Sequence, residues 1–346
     1  MVIRTAIIGF GTAGGLFHAP FLAADPAFRI DAIVTRDPAR VERATSEHPQ
    51  ARILADTAAL WEMTDSIDLV VVASPSGSHA AHAESALRAG YHVVVDKPFV
   101  ADAETGETLI AIAAARDLML TVFQNRRWDG DFLTVSDLVK SGRLGEIRRF
   151  ESRFTWWQPQ APEGWKAEAP VAEAGGILFD LGPHLIDQAL QLFGPVVDVY
   201  AEIDTVREGV AADDDVFIAL EHESGVRSHL WMSAVAPEPG PRFRVLGAEG
   251  TYVSWGLDGQ ETALVAGRRP GDPGFGERDQ AEWGSITTGD NGESVPMTRG
   301  QYERFYAGVA ASINSGSPVP VDPADAVAGL RVIAAARAAA ASRTKK

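Results

Sequence analysis

The chain has 346 residues, 46% of them hydrophobic and 23% charged, which fits a globular protein with two full cores. Its formal net charge of −16 argues against nucleic-acid or anionic-membrane partners, since both need a basic surface. The absence of cysteine excludes disulfides, thiolate catalysis and cysteine-ligated metal centres. No apolar run approaches the ~18 residues of a membrane span. The start of the chain carries no signal-peptide pattern, so a cytoplasmic location is expected.

In chain order, strands are expected at Val2–Ile8, Ile30–Val34, Ile53–Ala55, Leu69–Ala73, His92–Val95 and Leu120–Phe123, with helical stretches such as Ser78–Ala89 and Ala103–Ala115 between them. Near-continuous Val/Ile runs suit strands buried on both faces, and the alternation of strand and helix predicts a doubly wound parallel sheet. After Phe123 the rhythm changes. Helices are expected at Asp131–Ser141 and Ile177–Phe193, and a strand at Ile147–Thr155. Further strands are expected at Val197–Ile203, Val216–Glu221, Val226–Met232, Arg242–Leu246, Gly250–Trp255 and Glu261–Val265. Turn residues between them predict hairpins and an open, mainly antiparallel sheet. Residues 267–296, rich in Gly, Pro and acids, read as a long loop. Helices at Gln301–Asn314 and Ala324–Ala341 close the chain. The reading is α/β throughout: a Rossmann domain over residues 1–123 and a substrate and oligomerisation domain over 124–346, whose last helix is a candidate to pack back on the first.

The first strand runs into Gly9-Phe10-Gly11-Thr12-Ala13-Gly14. In a G-x-G-x-x-G turn the first glycine makes the tight turn, the second lets the backbone approach a pyrophosphate, and the third allows close helix–strand contact. Its place between the first strand and a helix is the context that a dinucleotide site requires. The second strand ends in Thr35-Arg36-Asp37-Pro38. An NAD site usually has an acid at the strand end for the ribose 2′-hydroxyl. A hydroxyl and a guanidinium there suit a 2′-phosphate, so NADP is expected and NAD is the second choice. Asp37 reads as a helix N-cap with Pro38 at the first helical position.

Ser74, Pro75 and His79 follow the fourth strand, and Asp96-Lys97-Pro98 ends the fifth. Ligands of an open α/β sheet lie beyond these carboxyl ends. Lys97 can polarise a reacting oxygen, although a turn lysine satisfies the same position; Pro98 is a candidate cis proline. Asp180 and His184, four apart, share a helix face where a carboxylate can orient an imidazole for acid–base work. The same spacing also fits a packing or surface pair. Asn125, Arg127, Trp157 and Lys166 are candidate nicotinamide or substrate contacts, with Trp156, Trp157 and Trp165 as candidate sugar platforms or core. No metal site is expected, and Asp213-Asp214-Asp215 reads as a solvated turn.

On the motifs Gly9–Gly14, Ser74–His79, Asp96-Lys97-Pro98, Asn125-Arg126-Arg127 and Gly175–His184, the chain resembles the glucose–fructose oxidoreductase/inositol dehydrogenase/MocA family across nearly its full length. It is most similar to the NADP-dependent scyllo-inositol dehydrogenase branch. It departs from the family pattern at Asp96, commonly glutamate, and at Ser76, commonly asparagine. The resemblance implies a catalytic set of Lys97, Asp180 and His184. The cofactor contacts expected from the residues are Gly9, Phe10, Gly11, Thr12, Ala13, Gly14, Thr35, Arg36, Ser74, Pro75, His79, Lys97 and Asn125. The expected substrate contacts are Lys97, Arg127, Trp157, Lys166, Asp180 and His184, and the assembly that the resemblance implies is a homodimer or homotetramer. The expected reaction moves hydride between NADP and a secondary alcohol or ketone of a polyol or sugar, with an inositol-like substrate favoured. A same-fold enzyme acting on a non-sugar cyclic diol or carbonyl, and a non-catalytic dinucleotide sensor, are the alternatives.

Overall fold

The computed structural model describes residues 1–63, 66–160 and 170–343. It divides into two compact units that interleave along the chain. The first holds Met1–Asn125, Gln260–Phe275 and Tyr302–Val327; the second holds Arg126–Gly259, Gly276–Gln301 and Ala328–Lys346. The first crossing lies two residues past the expected boundary at Phe123, but the chain then returns to the first unit twice, where a single boundary was expected. The final helix, Pro323–Arg343, runs from one unit into the other.

In the first unit six strands form one sheet: β1 (Ile3–Ile8), β2 (Phe28–Val34), β3 (Arg52–Leu54), β4 (Leu69–Val72), β5 (His92–Asp96) and β6 (Leu120–Phe123). Their order is β3-β2-β1-β4-β5-β6 and every pairing is parallel. The apolar runs explain this: Leu69, Val70, Val71 and Val72 are all fully buried, as a central strand covered on both faces must be. Strand order reverses between β1 and β4, which opens the crevice where such sheets take their ligands. Asp37 caps the Pro38–Glu47 helix, its Oδ1 accepting from the Arg40 N–H at 3.0 Å, as the Asp-Pro pattern predicts.

The second unit is built on an eight-stranded sheet: β7 (Ile147–Thr155), β8 (Val196–Asp204), β9 (Asp215–His222), β10 (Arg227–Ser233), β11 (Phe243–Gly247), β12 (Thr251–Ser254), β13 (Gly284–Thr288) and β14 (Asn291–Val295). The order is β14-β13-β12-β11-β7-β10-β9-β8, antiparallel except where β7 meets β10. Along β9, Val216, Ile218 and Leu220 are buried while Phe217, Ala219 and Glu221 are half-buried, so one face meets the core. The Ile177–Phe193 helix packs on that face, buried nearly all round.

Three expectations are corrected here. Glu261–Val265 is not a strand but part of the helix Gly259–Val265: Gln260 and Leu264, four apart, are buried and Thr262 between them is exposed. The 267–296 stretch is not wholly loop, since it contains the β13–β14 hairpin turning at Gly289-Asp290. Its outer strand exposes Asn291, Gly292, Glu293 and Ser294 and buries only Val295, so it has no apolar pattern to reveal it. Asp213 and Asp214 are buried rather than solvated.

Candidate active site

All six strands of the first sheet are parallel, so Gly9, Thr35, Ser74 and Lys97 leave β1, β2, β4 and β5 at the same edge. The glycine turn fits a dinucleotide. Gly9 has φ +93°, and a Cβ there would lie 2.6 Å from the Ala73 carbonyl oxygen. A Cβ on Gly14 would run into the Gly9 carbonyl, so only glycine lets the helix approach the strand this closely. At Gly11 the space is open apart from the Arg40 guanidinium, 3.6 Å from a built Cβ, so the backbone can be approached by a phosphate.

Around this turn the structure adds two cations that motif reading passes over. Arg43 occupies the space above Gly15 and lies over the Phe10 ring, 4.7 Å from its centroid. Arg40 and Arg43 thus flank the glycine turn, and Arg36 follows Thr35 in the chain just past β2, where the one acid, Asp37, is engaged as a helix cap. The available signal was spacing: Arg40 and Arg43, three apart, share a helix face.

Ser74 is half-buried and Pro75 exposed at the end of β4. His79, expected to border the cofactor, is 1% exposed with its ring nitrogens 2.9 Å from the Pro98 and Ser74 carbonyl oxygens. It therefore braces the loops after β4 and β5 rather than presenting a free ring. Lys97 is half-buried and its bond to Pro98 is cis. Beside it, burial acts to raise the Asp96 carboxyl, but His18, Lys97 and His79 outweigh burial and hold it below the usual carboxylate range. Asn125 is buried just past β6.

In the second unit the Ile177–Phe193 helix carries Asp180, half-buried, and His184, 4% exposed. The helix start is fixed from a distant loop: Asp213 Oδ2 accepts from the Leu178 N–H at 2.8 Å and its carbonyl from the Ile177 N–H at 2.8 Å. Gly176, at φ +99°, leaves room for that carboxylate, and Arg337 donates to its other oxygen at 2.7 Å. A carboxylate at a helix N-terminus satisfies orphan N–H groups and complements the dipole. His184 packs beside Phe154, ring centroids 6.4 Å apart, and the Arg126 and Arg242 guanidinium groups lie 4.6 and 4.7 Å from the Phe154 centroid.

Arg127, expected to meet substrate, donates to both oxygens of Asp187, from Nε at 2.8 Å and Nη2 at 2.5 Å. Asp187 lies three residues past His184 on the same helix, so Arg127 anchors the helix. Trp157 is 56% exposed, its backbone bridged to Val235. Lys166 and Trp165 lie outside the described residues. Among the described residues no three or more His, Asp or Glu gather to hold a metal, and no helix is long and apolar enough to cross a membrane.

Comparison with known proteins agrees with this geometry. A model of an oxidoreductase family with an NAD-binding Rossmann fold matches residues 3–124, and one of the GFO/IDH/MocA C-terminal domain matches residues 132–253. The chain is 34% identical over 340 residues to scyllo-inositol 2-dehydrogenase (NADP(+)) IolW of Bacillus subtilis (strain 168), covering 96% of this chain and 92% of that one. It is 32% identical over 193 residues to dTDP-3,4-didehydro-2,6-dideoxy-alpha-D-glucose 3-reductase of Streptomyces antibioticus, covering 56% of this chain and 57% of that one. The solved structure of the oxidoreductase yvaA from Bacillus subtilis matches with a TM-score of 0.93 at 33% identity, covering 99% of this chain and 97% of that one. The chain thus belongs to the Gfo/Idh/MocA family and is an oxidoreductase with an NAD(P)-binding Rossmann domain.

Proposed function

We propose that the protein transfers hydride between NADP(H) and a secondary alcohol or ketone of a polyol or sugar, an inositol-like ring being favoured. The observation that carries the reading is the pair Arg40 and Arg43 flanking the glycine turn, with Thr35 and Arg36 in the chain just past β2, a set that suits a 2′-phosphate. The similarity to an NADP(+)-dependent scyllo-inositol dehydrogenase supports both halves of it.

NADP(H), held by the Gly9–Gly14 turn with Arg40 and Arg43, would supply the hydride acceptor for oxidation and the donor for reduction. Lys97 Nζ hydrogen-bonds the reacting oxygen and stabilises its developing charge. The His184 imidazole takes the hydroxyl proton in oxidation and gives it back in reduction, and Asp180 orients that ring. Asn125 is assigned to the nicotinamide side, and Trp157 and Lys166 to the substrate. Arg127 contributes through Asp187 and the helix it holds. The aromatic residues Phe217, His229 and Trp231, half-buried on the sheet face opposite the core, support self-association as a dimer or tetramer, which light scattering tests. The chemistry and the cysteine-free chain suit the cytoplasm.

The deciding experiment measures NADP+ and NAD+ reduction across inositols and common aldoses. Turnover with at least one inositol, faster with NADP+, is the expected result. Cofactor binding without turnover on any polyol or sugar, in either direction, defeats the reading and favours a sensor.

A further inference from the structure

We propose that His18 is a positioning residue for Lys97, held by Tyr306 and acting through Asp96, so that the turn receiving the dinucleotide and the strand end presenting the lysine are fixed to each other. The role given to Lys97 rests on the function proposed above; the network itself does not.

The segment after the glycine fingerprint is wound unusually. Ala13–His18 forms a π-helical turn, in which the Ala19 N–H reaches back five residues to the Gly14 carbonyl. Pro20 follows in the helix Ala19–Ala24. A proline has no N–H to give the carbonyl four residues earlier and its ring clashes there, and a wider turn relieves that conflict. The widened turn buries His18 completely, its ring 4.2 Å from that of Phe123 at the end of β6.

Both ring nitrogens of His18 face polar groups from elsewhere in the same unit. Nδ1 is 2.6 Å from the Tyr306 hydroxyl, and Nε2 is 3.7 Å from Asp96 Oδ1, an ion-pair rather than a hydrogen-bond distance. Burial, with the Asp96 charge, holds the Tyr306 phenol well above its ordinary range, so it remains an O–H. With the phenol donating to Nδ1, Nε2 is the ring nitrogen left to face the Asp96 carboxylate. Asp96 is faced by His18, Tyr306, Lys97 and His79, and it is the last residue of β5, next in the chain to Lys97. A half-buried carboxylate held among these groups has few ways to sit. Fully buried itself, His18 touches no substrate and acts only through Asp96. The helix Glu303–Ser315 supplies Tyr306 from a returning segment of the first unit, so the network ties four parts of that unit together.

The test compares His18→Phe, His18→Gln and Tyr306→Phe in the full chain. Phenylalanine keeps the ring packing and removes both polar contacts, whereas glutamine keeps one group able to reach Asp96. With NADP+ and scyllo-inositol as probes, H18F is expected to lower kcat about 10- to 100-fold, the scale of a misplaced reacting group, while the NADPH Kd stays within about threefold. H18Q recovers part of the loss and Y306F loses less than H18F. In parallel, the rate of Lys97 acetylation by acetic anhydride, read by peptide mass spectrometry against exposed Lys140, is expected to change in H18F and to return towards wild type in H18Q. If H18F does not fold, Y306F carries the same comparison by losing one hydroxyl. Wild-type kcat and Lys97 labelling in H18F, or equal loss in H18F and H18Q, overturns the proposal. Absence of wild-type turnover on any polyol defeats the proposed function instead, and the labelling still decides the role of His18.

Discussion

Replacing Arg40 and Arg43 together by glutamine should separate the two nicotinamide cofactors. A charge-assisted hydrogen bond to a phosphate is worth roughly 1.5–3 kcal/mol where it is dry. Both side chains stand at the surface, and the Arg43 side chain is 42% exposed, so screening reduces each to about 1 kcal/mol. The pair then contributes about 2 kcal/mol, or ~30-fold in the Kd for NADPH. NADH has no 2′-phosphate, so its Kd should move by less than about threefold, through the lost packing of Arg43 on Phe10. Titration of nucleotide fluorescence at low and physiological salt measures both constants, and the NADPH effect should shrink as salt rises. An unchanged NADPH Kd, or equal weakening of both nucleotides, refutes the assignment of the pair to the 2′-phosphate.

Lys97→Met and His184→Gln should each lower kcat by about 10²–10⁴-fold while NADPH titrations stay near wild type; near-normal turnover in both sinks the catalytic set. Asp213→Ala removes the group holding the first turn of the His184 helix and strands Arg337. It should cost about 2 kcal/mol, visible in calorimetry as a fall in Tm of several degrees. Burial acts to raise the Asp214 carboxyl, but the Val206 and Arg207 N–H groups and the Arg207 guanidinium hold it below its ordinary value. Its contribution to stability is therefore complete above about pH 4 and is lost as the pH falls through the lower, folded-state value. Urea unfolding of Asp214→Asn against pH should show a weaker acid-side decline than wild type; an identical slope argues against the assignment.

Much of the fold was legible because its signals are local. Leu69–Val72 reads as a central strand from four adjacent apolar residues, and Asp37-Pro38 as a helix start from two. Ala103–Ala115, Ile147–Thr155 and Ile177–Phe193 appear where turn and cap residues place them. What sequence could not supply depends on partners distant in the chain. The acidity of Asp213 and Asp214 looks like solvation until a helix N-terminus and two arginines are brought to them. His79 stands in the right motif, yet only the fold shows its ring engaged by two backbone carbonyls. Arg127 reads as a candidate substrate contact in the Asn-Arg-Arg run because its partner Asp187 lies 60 residues on. The β14 strand was hidden because an exposed edge needs no apolar period.

The returns of the chain to its first unit bear on how the protein is made. All six parallel strands have left the ribosome once Phe123 emerges, but Gln260–Phe275 and Tyr302–Val327, which complete that unit, are synthesised much later. Vectorial synthesis thus exposes a nearly finished sheet that still lacks Tyr306 behind His18 and the Val321 carbonyl that accepts from the Thr121 hydroxyl at 2.7 Å. A fragment cut at the end of β6 is therefore a poor surrogate for the nucleotide-binding half. Maturation of the surroundings of Lys97 therefore waits for the last part of the polypeptide's synthesis, some tens of seconds after β6 at ~5–20 residues per second.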